Sequence, residues 1–247
     1  EREHLTDRPL VLLSVEIDNV ELLHAMGKPL SQLSLRELVE TCVRNYPYLF
    51  WTYLWHKGVY VLLFQPSGEG WDLQSDCIRI AGDILEQSRQ SFAFSASVGI
   101  SGGLRSLLEL PRGVEEVGRC FDYRMLLGKQ SIVYYPAIAS LPPGSDQWDE
   151  GRLAELESLL RRADADAIKL YLRSVYRDML AKALNKSFIQ RYALEMVNRT
   201  EAVLNEWSGK MAMPDFNDVR RKLLSFDVLV DLMKCLEAEL LDAAGRI

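Results

Sequence analysis

The chain has 247 residues, of which 48% are apolar and 26% are charged, and its formal net charge at pH 7 is −6. That length allows one large domain or two ordinary ones, and the apolar content is enough for a core that needs no disulfide bond or metal. The acidic balance argues against direct nucleic-acid contact by this chain, because a duplex-binding surface needs clustered Lys and Arg. No apolar run approaches the ~20 residues that span a bilayer, so we expect no membrane contact.

Alternating strand and helix patterns fill the first part of the chain. Strands are predicted over residues 10–17, 50–55, 59–64, 92–100 and 132–135. Helices are predicted over residues 33–43, 72–87 and 107–127, the last interrupted near Pro111. Ser34 is the expected N-cap of the first helix, with Glu37 as its capping-box partner. Gly58 follows His56 and Lys57 in a hairpin, where it would supply any positive φ that the turn needs.

A turn-rich stretch over residues 141–146 separates this part from a second one without strands. Helices are predicted over residues 148–162, 165–184, 188–207 and 219–243, with Asp164 as an N-cap. We therefore predict an α+β domain over residues 1–140, built on a mixed sheet, and an all-α helical bundle or linker domain over residues 141–247.

The cysteines are too far apart for a metal knuckle or a redox motif. They are Cys42, Cys77, Cys120 and Cys235, and no two form a CxxC pair. Scattered thiols fit a reducing compartment, so we expect a cytoplasmic protein in which each thiol is a small buried apolar group. We expect no metal and no cofactor.

Four stretches of the first part resemble the GGDEF (diguanylate cyclase) domain. They are, in chain order, Val15–Val20, Leu54–Tyr60, Ser95–Ser101 and Gly128–Tyr134. The first is similar to the family's metal-binding strand end, the second to its Gly-Gly-Asp-Glu-Phe hairpin and the third to its Ser-x-Gly-Ile/Val strand. The resemblance covers about residues 9–136, and it implies a GGDEF-like (ferredoxin/cyclase-like) fold.

The hairpin departs from the family where the chemistry is done. With Tyr60 aligned on the family's Phe, Val59 and Gly58 replace the acids, and His56 and Lys57 replace the two glycines. Nucleotidyl transfer needs carboxylates that hold the cations on the phosphates, and the hairpin offers none. The resemblance therefore implies a domain that is not an enzyme.

A degenerate branch of the family is more similar still. The run Ser-Val-Gly-Ile-Ser at 97–101, followed by a Leu-x-x-Leu helix and a Gly-to-Tyr-Tyr segment, resembles the middle regions of AraC-type regulators, especially YesN-like bacterial response regulators. In those proteins a helical segment and a helix-turn-helix pair follow. We recognise no such pair before Ile247. The resemblance implies that the partners are a second copy, or neighbouring receiver, sensor and helix-turn-helix domains.

Two groups of residues are candidates for binding. Glu16 and Asp18, together with Gly102 and Gly103, would line a degenerate nucleotide-like cleft. The simpler interpretation makes the two acids a strand-end residue and a turn-starting residue rather than metal ligands, and makes the glycine pair a loop.

An aromatic cluster is the second candidate. Alternation along the strand over 50–55 places Trp51, Tyr53 and Trp55 on one face. That face is either packed against the rest of the domain or exposed for docking a partner.

Three functions are therefore weighed. The first is a non-catalytic regulatory and dimerisation module of an AraC-family, two-component transcription regulator, which relays a signal to a DNA-binding domain outside this chain. The alternative is a ligand-sensing domain with a degenerate nucleotide-like cleft. The third, an active cyclase, is the least favoured.

Overall fold

A computed structural model describes residues 7–27, 32–66, 72–141, 149–182, 185–207 and 214–247. The chain divides into two compact units, Glu1–Leu141 and Pro142–Ile247. Most of the turn-rich stretch predicted over residues 141–146 lies outside the described residues. The fold is α+β, with a five-stranded mixed sheet and helices in the first unit and helices in the second.

The sheet of the first unit has the strand order β2-β3-β1-β4-β5. Its strands are β1 (Leu10–Ile17), β2 (Leu49–Trp55), β3 (Gly58–Phe64), β4 (Ala96–Ile100) and β5 (Ile132–Tyr134). β1 is antiparallel to both of its neighbours, β2 and β3 form an antiparallel hairpin, and β4 is parallel to β5. All residues of β1 are buried, because a central strand that is covered on both faces needs a nearly continuous apolar sequence.

Helices cover the two faces of the sheet unequally. The first unit contains α1 (Val20–Ala25), α2 (Gln32–Arg44), α3 (Leu73–Ser91), α4 (Leu110–Leu127) and α5 (Tyr135–Ile138), with a 3-10 turn at Leu107–Glu109. α2 and α3 pack on one face and form the larger core with inward residues such as Val15 and Val61. α4 packs on the opposite face, over β1 and β4. A Cβ added to Gly99 would lie 3.1 Å from Cβ of Cys120, so this glycine permits the close approach of α4.

Several predicted boundaries were wrong. α2 begins at Gln32, before Ser34, so Ser34 is not its N-cap. The side-chain Nε2 of Gln32 donates to the backbone carbonyl of His56 at 2.6 Å, and this contact ties the first turn of α2 to the hairpin. Pro111 does not interrupt a helix, because it lies in the first turn of α4, where no amide hydrogen is needed.

Two further elements differ from prediction. β4 begins only at Ala96, and the preceding Phe92 and Phe94 stack on each other with ring centroids 4.7 Å apart. α1 was not predicted; it follows Asn19, whose left-handed backbone (φ 54°) turns the chain directly after β1.

The second unit is helical, as predicted, but the described residues contain five helices instead of about four. They are α6 (Glu150–Arg161), α7 (Ala165–Ala181), α8 (Lys186–Asn205), α9 (Phe216–Leu224) and α10 (Leu229–Arg246). Asp164 caps α7 by accepting a hydrogen bond from the amide of Ala167, which confirms that prediction. The helix predicted over 219–243 is divided because Phe226 and Val228 turn inward and are buried.

All four cysteines are free and buried, which confirms their prediction as core residues. Burial raises the pKa of the Cys42 thiol to about 11 and those of Cys77 and Cys120 to about 12. Within the described parts of the chain, no helix has the length and apolar character needed to cross a membrane.

Candidate functional site

The end of β1 meets the β2–β3 turn and the start of β4, and this junction is the candidate site. The amide of Ile17 donates to the carbonyl of Lys57 at 3.0 Å, and the amide of Asp18 donates to the carbonyl of Ser95 at 2.9 Å. Across the sheet, Glu16 pairs with Gly58 on β3. The structure therefore places Glu16 beside the hairpin and Asp18 beside the start of β4.

Gly58 is required here for space. A Cβ added to Gly58 would lie 1.9 Å from the carbonyl oxygen of Val15. The turn needs no positive φ from Gly58, since Gly27 and Gly128 are the glycines with positive φ in the described residues. The missing side chain lets the hairpin lie directly against β1.

A buried arginine holds the two acids. Arg124 of α4 is 1% exposed, and Glu16 and Asp18 are 4% and 2% exposed. Its Nη2 lies 3.3 Å from Oε2 of Glu16 and its Nη1 lies 3.2 Å from Oδ1 of Asp18. The guanidinium carbon also lies 4.7 Å from the ring centroid of Phe121. Burying two carboxylates without a cation would be very costly, so Arg124 is what makes this arrangement stable.

Neutral donors complete the coordination of Asp18. The hydroxyl of Ser97 donates to its Oδ1 at 2.7 Å, and the amide of Gln130 donates to its Oδ2 at 3.1 Å. The amide of Ser131 in turn donates to the hydroxyl oxygen of Ser97 at 3.1 Å. Both carboxylate oxygens of Asp18 are therefore engaged by groups of this chain.

The carboxylates of this cluster are paired with a cation within the chain itself. The planar guanidinium of Arg124 pairs with both acids at once. Among the described residues, no group of three or more His, Cys, Asp or Glu side chains could hold a metal ion. In chemical terms the junction is an ion cluster in which one guanidinium pairs with two carboxylates.

Gly102 and Gly103 lie at the opposite end of β1 from Glu16 and Asp18. The four predicted ligand-binding residues therefore do not line a single cleft. Leu104 exchanges backbone hydrogen bonds of 2.8 Å with Leu10, the first residue of β1. The amide of Gly102 donates to Oε2 of the buried Glu116 at 2.8 Å, which occupies the donor that an anion would need. Gly103 is exposed and lines a cavity of about 180 Å³. Pockets for drug-sized ligands have about 300–1,000 Å³, and ligand sensing there stays a prediction.

The aromatic candidates lie on an edge strand. Trp51 is 45% exposed and Tyr53 is 66% exposed, while Trp55 is half-buried and stacks on Tyr60 with ring centroids 4.9 Å apart. The alternate residues of β2, such as Thr52, face α2, so the predicted alternation is confirmed.

Comparison of the chain with protein-family models, curated proteins and solved structures gave no match.

Sequence reasoning missed Arg124, although a signal was present. On α4 the buried positions Val117, Cys120, Phe121 and Arg124 follow the spacing i, i+3, i+4 and i+7. An arginine at the last position of an apolar helix face must find buried carboxylates. The acids at the end of β1 were the unassigned candidates.

Proposed function

We propose that the first unit is a GGDEF-like (ferredoxin/cyclase-like) module without catalytic activity. The whole chain would be a cytoplasmic regulatory and dimerisation module of an AraC-family, two-component transcription regulator. It would relay a signal to a DNA-binding domain outside this chain. The sheet order supports this proposal, because a central β1 ends beside the turn of a hairpin formed by the next two strands.

The observation that carries the proposal is the pairing of Arg124 with Glu16 and Asp18. Nucleotidyl transfer needs carboxylates that present divalent cations to a triphosphate. Here both carboxylates are buried and share one guanidinium. The turn of the hairpin, His56–Lys57, adds no acid to replace them. The site therefore retains a charged cluster that holds the fold together and offers no seat for a cation.

A regulatory module needs a surface for association, and β2 supplies one. Its sequence, Leu49–Trp55, contains no charged residue and no proline. Exposed edge strands are usually protected by such residues because their free backbone groups pair with other chains. Two copies related by a two-fold axis would pair their β2 strands and bury Trp51 and Tyr53.

The mass of the full chain in solution tests this dimer. Light scattering and sedimentation over a concentration series should show a monomer–dimer equilibrium, and Trp51→Ser combined with Tyr53→Ser should shift it to monomer. Leu108→Ser is the matched control, because Leu108 is a large apolar residue that is 85% exposed elsewhere in the same unit. A strictly monomeric wild type, or a dimer that survives the double substitution, would rule out this interface.

Incubation with GTP tests the absence of catalysis separately. With Mg²⁺ or Mn²⁺ present, chromatography should recover the GTP unchanged. Formation of a nucleotide product by wild type, reduced by Asp18→Asn, would overturn the non-catalytic proposal.

A further inference from the structure

A groove of about 740 Å³ runs between α7 and α10 of the second unit. We call it the α7–α10 groove. Leu172 and Met233 are buried and form part of its floor, whereas Leu170 is 64% exposed and Val230 is 40% exposed. Tyr176 adds a half-buried ring to the lining. The groove therefore offers a largely apolar surface to a binding partner.

The charge of this groove is opposite to that of the whole chain. Its exposed charged residues are Arg173, Arg177 and Lys234, and its one carboxylate is Glu237. The chain as a whole carries a formal net charge of −6. A local excess of cations attracts anionic partners.

Among the described residues, these three cations also differ from most other basic side chains of the unit in having no carboxylate partner. Within the described residues, Arg173, Arg177 and Lys234 form no ion pair and no side-chain hydrogen bond. Most other basic side chains of the unit are paired with carboxylates: Arg152, Arg161, Lys169, Lys186, Arg199, Arg220, Arg221, Lys222 and Arg246. The cations Arg173, Arg177 and Lys234 therefore lie around an apolar groove without a carboxylate partner among the described residues.

We propose that the α7–α10 groove binds an acidic amphipathic helix of a partner protein. Leu170, Arg173 and Arg177 follow the spacing i, i+3 and i+7 on α7, and Val230, Lys234 and Glu237 follow i, i+4 and i+7 on α10. Each helix therefore presents a row that combines apolar and charged groups along the groove. A helix laid between these rows would bury its apolar stripe on the floor and pair flanking carboxylates with the cations.

The apolar floor favours a peptide over a nucleic acid. Phosphate backbones are bound by many basic and polar groups, and a floor of Leu, Val and Met offers them nothing. Peptide binding by the α7–α10 groove goes beyond the proposed function and does not depend on it. Its failure would leave the ion cluster of Arg124 and the β2 interface unaffected.

Fluorescence anisotropy with a synthetic peptide tests the proposal on the full chain. The probe is a labelled helical peptide with leucines at i, i+3, i+4 and i+7 and glutamates on both flanks of that stripe. Its counterpart carries glutamine in place of each glutamate. We expect the glutamate peptide to bind, the glutamine peptide to bind at least about tenfold more weakly, and the difference to shrink as salt is raised.

Matched variants locate the site. Arg173→Gln with Arg177→Gln should weaken binding of the glutamate peptide about tenfold. Arg162→Gln with Lys182→Gln removes the same charge from exposed positions outside the groove and should bind as wild type. Leu170→Ser should weaken both peptides, because it removes apolar contact. These substitutions are at exposed positions, and circular dichroism verifies that each variant is folded.

Several results would overturn the inference. They are no binding of either peptide, equal binding of both, or equal weakening by the groove variant and its charge-matched control. Tighter binding of a labelled oligonucleotide than of the glutamate peptide, lost in the Arg173→Gln/Arg177→Gln variant, would instead identify a nucleic-acid surface.

Discussion

The sheet face opposite α2 and α3 has two halves that differ sharply. Over β1 and β4 it is covered by α4 and ends in the buried cluster of Arg124, Glu16 and Asp18. Over β2 the same face is open, and Trp51 and Tyr53 are exposed. The half with ionisable groups is thus closed to ligands, whereas the accessible half is apolar.

The largest expected effect comes from removing the cation that pairs with the two buried carboxylates. Arg124→Met leaves two buried carboxylates without their cation, and loss of one partner of a buried ion cluster costs about 3–5 kcal/mol. Urea denaturation should show a decrease of that size in the free energy of unfolding. The exposed Arg119 of the same helix is the control, and Arg119→Met should change stability by about 0.5 kcal/mol or less.

A second substitution separates charge from packing at this position. Adding Glu16→Gln and Asp18→Asn to Arg124→Met removes the unpaired charges and should recover part of the lost stability. If Arg124→Met unfolds at the same urea concentration as wild type, the ion cluster does not hold the site together.

The next largest effect concerns the close contact between β3 and β1, which joins the two halves of this sheet face. Gly58→Ala places a methyl group 1.9 Å from the carbonyl oxygen of Val15, so β1 and β3 must separate locally. Forced overpacking of this kind typically costs about 1–3 kcal/mol. Gly82→Ala is the control, since its Cβ meets nothing within 4 Å on α3, and it should stabilise the protein by about 0.5–1 kcal/mol. Thermal denaturation of the two variants should shift in opposite directions.

The smallest expected effect concerns the hydrogen bonds that connect α2 with the side of β2 that faces it. Hydrogen bonds from Thr52 and then Arg36 lower the pKa of Glu40 on α2 below its usual 4.5. The ionised form is therefore favoured by folding, and its contribution is present above pH 4.5 and lost as the pH falls through the folded-state pKa. At pH 7, Glu40→Gln should cost about 0.5–1.5 kcal/mol.

Urea titrations at several pH values measure this contribution. The difference between wild type and Glu40→Gln should shrink as the pH falls below 4.5. Glu37→Gln, at an exposed position of the same helix, is the matched control. A difference that is constant with pH would mean that the charge of Glu40 does not contribute.

Much of the fold could be predicted from local sequence patterns, because those patterns have simple physical causes. The apolar run of β1 predicted a central strand, and the alternation of β2 predicted which aromatic residues face outward. Where a tertiary contact competed with a local signal, prediction failed. Ser34 is a good capping residue, but the contact of Gln32 with the hairpin sets the start of α2.

The site was predicted only in part, and for a similar reason. Glu16 and Asp18 were recognised because acids at the end of a buried strand are conspicuous. Arg124 lies more than a hundred residues further along the chain, and no local pattern links it to them. The glycine pair was misplaced because a sequence does not show that antiparallel β4 carries it to the far end of β1.

The concealed thiols make this protein convenient for labelling experiments. Since none of the four native cysteines is exposed, a maleimide dye should react with the folded wild-type protein slowly. A single cysteine placed at Tyr53 or Leu170 would then be the preferred attachment point, with the native residues left intact. A dye at either position would report, by a change in its fluorescence, whether a partner binds there.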